Sequence, residues 1–173
     1  MTDQALQKLL DRQSITERLL DYARGVDRID RELICSVFDP EAQLDYGAMF
    51  AGTREEFADF IALVHPAMET HSHHVSNIRI TVDGERAGSE AYVLVLLRSR
   101  GIDGTLNDSV NSGRYIDEWR RSYEGWRIVH RRYVHGMDST QRPGSTGYPT
   151  DGSRDGNDPS YAALGGLPLT EGA

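Results

Sequence analysis

Three short stretches carry side chains able to do acid–base work. The first is Tyr22-Ala-Arg-Gly-Val-Asp27, where a phenol and a carboxylate lie five residues apart. The second, His71-Ser-His73-His74, sets three imidazoles within four positions. Imidazole ionises near neutrality, so it can both take and give a proton. The third is Leu44-Asp45-Tyr46-Gly47, whose phenol could donate a hydrogen bond to an oxygen on which negative charge builds. Each stretch also has an ordinary structural reading. Asp27 could be a turn or N-cap aspartate before a second helix, the histidines a solvated strand start, and Tyr46 a core tyrosine. The histidines also raise the question of a metal. In a strand, though, His71 and His73 share one face while His74 points away, and no third ligand is evident. No metal site is expected, and His71 and His74 read as surface residues.

The elements that must position these groups can be read from hydrophobic periodicity. Residues 3–24 form a helix, with Ile15, Leu19, Ala23 and Val26 on one stripe and Leu6, Leu9 and Leu10 upstream. Asp27 follows the stripe directly. A second helix covers 30–38 and stops before Pro40, and Thr53-Arg-Glu-Glu56 is a capping box opening a third helix that runs to about Val64. Between them lies a short strand, 42–46, with Ala42, Leu44 and Tyr46 inward and Asp45 outward. Past His71 the period changes to two, giving strands over 74–82, 87–99, 110–122 and 126–136. The run Tyr92–Leu97 is apolar on both faces, as in a central strand. On the next strand Asn111, Gly113, Tyr115, Asp117 and Trp119 share the inward face. His130 and His135 fall on opposite faces of the last one. The order predicts an α+β fold, with helices packed on one face of a curved antiparallel sheet. Such a cone encloses an apolar pocket. Tyr22, Val93, Asn111 and Tyr115 are its candidate substrate contacts.

Composition bounds the partners. The 173 residues include 19 basic and 27 acidic side chains, a net charge of −8, and all but one of the basic residues are arginine. That balance argues against nucleic acid, which needs clustered positive charge. One cysteine, Cys35, excludes a disulfide framework. No apolar run is long enough to span a membrane and no signal peptide is evident, so a cytoplasmic protein is expected. Composition shifts near residue 138. Residues 1–137 read as one domain, and 138–173, with seven glycines and four prolines, as a tail that cannot form its own core. Its segment Pro159–Leu164 could dock on the body or on a neighbouring subunit. Gly84, Gly101 and Gly104 are turn glycines, and there is no phosphate-binding glycine loop.

Several runs together resemble the SnoaL-like group of the nuclear-transport-factor-like superfamily, whose fold is a cystatin-like cone. They are Asp11–Ile15, Tyr22–Asp30, Phe38–Tyr46, His73–Asn77, Val82–Ala87, Gly113–Tyr115 and Gly125–Ile128, in the family's order and spacing. Within the superfamily the chain is most similar to scytalone dehydratases, hexachlorocyclohexane dehydrochlorinases and bile-acid 7α-dehydratases. The resemblance implies an aspartate–histidine dyad at Asp27 and His73, with Tyr46 assisting as in scytalone dehydratase and Tyr22 as in the bile-acid enzyme. Ketosteroid isomerase carries its catalytic aspartate where this chain has Tyr46, which argues against that chemistry. Scytalone dehydratase's second histidine falls where this chain has apolar residues near Leu96, and the bile-acid enzyme's late arginine falls near His135. The implied activity is a cofactor-independent lyase, dehydratase-like, on a small hydrophobic and cyclic substrate. An isomerase or polyketide-type cyclase using the same dyad is the alternative, and a non-catalytic binding protein the competing class. The resemblance also implies a homodimer or homotrimer built on the outer face of the sheet.

Overall fold

Ile15, Leu19, Ala23 and Val26, joined by Tyr22, make a continuous buried stripe on helix α1 (Asp3–Arg28) of the computed structural model, which describes residues 3–144 and 152–164. Leu6, Leu9 and Leu10 do not extend that stripe. They are exposed, because the first turns of α1 stand clear of the core. The helix ends at Ile29, which takes a φ of 55°, and Asp30 rather than Asp27 caps α2 (Arg31–Val37), accepting from the Leu33 N–H at 3.0 Å. The capping box forms at α3 (Arg54–Val64), where Thr53 and Glu56 satisfy each other's backbone N–H groups. A 3-10 turn, His65–Ala67, then feeds the sheet.

Among the described residues the sheet has six strands in the order β2-β1-β6-β5-β4-β3. Strand β1 spans Phe38–Asp45, β2 Ala51–Thr53, β3 Met68–Asp83, β4 Arg86–Arg100, β5 Leu106–Ser122 and β6 Gly125–Gln141. The last four form the expected meander, and α1 packs across β3 and β6. One pairing differs from an all-antiparallel sheet. The meander ends with β6 running in the same direction as β1, so those two pair in parallel and the sheet is mixed. Strand β3 also begins at Met68, well before the apolar alternation does, because the Met68–His73 stretch pairs with the end of β4 through its backbone.

The cone's floor is a core of aromatic and branched side chains. Phe38, Ile34, Trp119, Trp126 and Ile128 are all buried at 1% exposure or less. Each such side chain contributes about 1.5–3 kcal/mol by leaving water. Strand β4 is interior, between β3 and β5, but only its inner face is covered. Ala91 and Val93 lie in the core, whereas Tyr92, Leu94 and Leu96 are 40–45% exposed on the outer face.

The C-terminal segment 152–164 packs back onto the same chain. Asp158 caps a short helix, α4 (Pro159–Ala163), and its carboxylate pairs with Arg28 of α1 at 3.1 Å. Arg24 lies over the Tyr161 ring, 5.1 Å from its centre. Among the described residues no helix is long and apolar enough to cross a membrane.

Candidate active site

Asp27 and His73 come together because α1 crosses β3 at its C-terminal turn. His73 Nδ1 lies 2.7 Å from Asp27 Oδ1, and the His73 backbone N–H donates to both carboxylate oxygens at 3.1 Å. The carboxylate can only accept, so the Nδ1 proton points at Asp27, and in the neutral imidazole the lone pair is then on Nε2. His73 has only 8% of its side chain exposed and borders an apolar cavity of about 360 Å³. Val26, Phe57, Phe60, Ile61 and Val95 form much of the wall.

The opposite wall is phenolic. Tyr22 and Tyr46 meet hydroxyl to hydroxyl at 2.7 Å, and the Tyr115 ring stands edge-on to Tyr22 at 5.4 Å. Burial holds the Tyr22 and Tyr46 phenols well above their usual ionisation range, so both are neutral donors. Since one hydroxyl donates to the other, the pair has one proton left to offer outward. Beneath them lies Arg131, fully buried and paired through two 2.7 Å bonds with buried Asp117. Its guanidinium stacks on Tyr22 at 4.1 Å and on Tyr115 at 4.2 Å. Its Nη1 has no hydrogen-bond partner among the described residues. This positive charge opposes the effect of burial on both phenols.

Sequence reasoning missed Arg131. A register shift between Ile128 and His130 inserts an extra residue into β6, turning Arg131, Tyr133 and His135 to the inner face together. The available signal was Asp117, correctly expected to face inward, since a buried carboxylate calls for a cation. A second shift at Gly136 keeps Gly113 opposite His135. Gly113 is obligatory in this arrangement, because a Cβ there would strike the Tyr133 ring.

Of the other expected contacts, Asn111 and Tyr115 border the cavity. Val93 does not. It is buried deeper in the cone, and Val95 and Leu97 take the wall position. His74 faces outward and meets the Ser72 hydroxyl at 3.1 Å. His71, expected at the surface, is instead buried, with its Nε2 3.0 Å from the Val26 carbonyl and 3.2 Å from His65 Nδ1. The early start of β3 and the packing of α1 over it account for the difference. His135 borders the cavity at its rim, half-exposed, 3.2 Å from Asp138. Among the described residues no trio of histidine, cysteine or carboxylate side chains is arranged to hold a metal ion.

The fold has relatives. The chain is 26% identical over 127 residues to the uncharacterized protein Rv2910c of Mycobacterium tuberculosis, a match spanning 72% of this chain and 84% of that one. A candidate scytalone dehydratase from Novosphingobium aromaticivorans superposes with a TM-score of 0.68 at 22% identity, over 87% of this chain and all of that one. Hexachlorocyclohexane dehydrochlorinase LinA-type3 from Novosphingobium barchaimii superposes with a TM-score of 0.71 at 19% identity, over 84% and 99% of the two chains. These two likenesses establish a shared fold. Residues 7–132, from the first turns of α1 into β6, match the SnoaL-like domain, and with that span covering most of the sequence the chain belongs to the SnoaL-like family.

Proposed function

We propose that the protein is a cofactor-independent lyase that eliminates water, or a halide, from a small hydrophobic and cyclic substrate. The observation that carries this reading is His73, hydrogen-bonded to Asp27 through Nδ1 at 2.7 Å, with Nε2 left free beside an apolar cavity. In that setting Nε2 takes a proton from the carbon next to a carbonyl or similar activating group. The C–H electrons become the new double bond as the C–O or C–halogen bond one carbon away breaks. Asp27 stabilises the imidazolium that forms. The outward proton of the Tyr22–Tyr46 pair meets the oxygen on which charge develops, worth about 3 kcal/mol for a donor in a dry site. The proton held on His73 then passes to the departing hydroxide, giving water, or to solvent when halide leaves. Substrate fit rests on a wall that is mostly aromatic and aliphatic, with Asn111 as the one amide side chain among the described lining residues.

The test is turnover on a panel of cyclic β-hydroxy ketones and halogenated rings, comparing the unchanged protein with Asp27→Asn and His73→Ala. Product formed only with both residues intact supports elimination. Solvent deuterium entering the substrate with no leaving group lost would mean isomerisation or cyclisation instead. Ligand affinity unchanged in both variants, with no reaction in any of the three proteins, would mean a binding module.

The exposed Tyr92, Leu94 and Leu96 on the outer face of β4 support assembly with a second copy of this chain through that face. Leu94→Glu should then reduce the particle mass in solution. An unchanged mass overturns it.

A further inference from the structure

His65, His71 and Arg154 form a polar chain that the elimination chemistry leaves unused. Arg154 lies outside the family match, on the C-terminal segment that Asp158 and Tyr161 tie to α1. Its Nη2 reaches both the Met68 carbonyl at 2.8 Å and His71 Nδ1 at 3.0 Å. The His71 side chain is fully buried, and among the described residues its polar partners are Arg154, the Val26 carbonyl, His65 and, at 4.0 Å, Asp27.

The proton positions follow from what each group can do. A guanidinium has donors only, so His71 Nδ1 must accept. The Val26 carbonyl accepts only, so His71 Nε2 must carry the proton. That proton also faces His65 Nδ1, which therefore keeps its lone pair and leaves the His65 proton on Nε2. His65 borders the cavity with its ring parallel to that of His73, 6.3 Å away.

We infer that Arg154 is a positioning residue that fixes the tautomers of His71 and His65, so that His65 meets the cavity as a neutral N–H donor and selects substrates bearing a carbonyl or hydroxyl oxygen. The charged and titratable groups around the pair agree with this. Burial, then the neighbouring His71, His73 and Arg154, pull His65 down to about 3, with Asp27 opposing. Burial lowers His71 as well. The Val26 carbonyl and Asp27 oppose that, while Arg154 and His73 reinforce it. Both rings are thus neutral at neutral pH, and neither competes with His73 for the charge of Asp27.

This inference rests on the cavity being the substrate site, but its first readout needs no turnover. Imidazole ¹⁵N–¹H correlation spectra of the full chain read tautomer and protonation ring by ring. The expected result is the neutral Nε2–H form for both His65 and His71 at about pH 7. In Arg154→Met, His71 loses its single tautomer and its pKa rises, since a positive neighbour has been removed. Arg154→Lys, which keeps a donor and a charge, restores the pattern. A His65 proton on Nδ1, or spectra unchanged in Arg154→Met, overturns the inference. The second readout is the affinity ratio of 1-tetralone to tetralin, two ligands differing in one carbonyl. His65→Phe should shrink that ratio by about tenfold, the upper end for one neutral hydrogen bond. A ratio near one in the unchanged protein, or one that survives His65→Phe, overturns the selectivity. The dyad is judged separately, since its failure appears as a His73 signal indifferent to Asp27→Asn.

Discussion

The two polar walls of the cavity are built on opposite plans. The histidine wall gathers Asp27, His65, His71, His73 and Arg154 from the end of α1, a 3-10 turn, the start of β3 and the C-terminal segment. Asp27 is part-exposed there, 19% of its side chain reaching solvent. The phenolic wall takes Tyr22 from the last third of α1, Tyr46 from the residue that follows β1, and Tyr115 and Arg131 from the neighbouring strands β5 and β6, all buried. His73, which must change charge, sits beside a carboxylate that reaches water. Tyr22 and Tyr46, which must stay neutral, sit where burial disfavours ionisation. The difference predicts that the first wall governs turnover and the second governs both turnover and stability.

The largest effect should come from the first wall. His73→Ala, and next to it Asp27→Asn, should lower kcat by up to about 10⁴-fold on a substrate that the unchanged protein turns over, while the urea midpoint moves little. On the second wall, Arg131→Met strands buried Asp117 and should cost about 3–5 kcal/mol in urea unfolding, and adding Asp117→Leu should recover much of it. A loss no greater in Arg131→Met than in a surface arginine variant would show that the pair is not a structural keystone. Tyr46→Phe should fall between the walls. It keeps the ring stack on Phe57, whose centre is 4.8 Å away, so folding should hold while kcat drops by about a hundredfold.

A smaller effect separates the walls by pH. His65 is held neutral in the fold down to about 3, against an ordinary value of 6.5. Between those limits the unfolded chain binds a proton that the folded one refuses, so stability is present above pH 6.5 and drains away as the pH falls toward 3. His65→Gln should flatten that limb of the unfolding curve. The phenolic wall adds nothing over the same range, because its tyrosines are neutral throughout.

Most of the scaffold was legible because it follows single-period patterns. The α1 stripe, the Thr53–Glu56 box, the Asp83-Gly84 turn and the inward set from Gly113 to Trp119 each express one local rule. The first wall's core pair was legible for a different reason, since Asp27 and His73 sit inside runs whose order and spacing match a family. What escaped was whatever depends on an interruption of period. One register shift in β6, between Ile128 and His130, moved Arg131, Tyr133 and His135 to the inner face, and a count of alternate residues cannot foresee an inserted one. His71 escaped because its burial depends on α1 lying over β3. Arg154 escaped because a glycine- and proline-rich composition says that a segment has no core of its own, not that it lacks a place on another.

The parallel pairing of β1 with β6 has a consequence for how the molecule is made. On one side Leu44 pairs with nearby Gly52 of β2, but its other ladder partner, Arg131, lies near the far end of the described body, whereas α1 and β3 can meet as soon as the first half of the chain is available. Synthesis runs from the N-terminus, so Asp27 and His73 can be neighbours while Tyr46 still waits for the strand that will hold it. Pairings this distant in sequence close slowly. A ribosome-bound chain stalled after β4 would therefore hold the base without its cavity, and the site becomes whole only when β6 slides in beside β1.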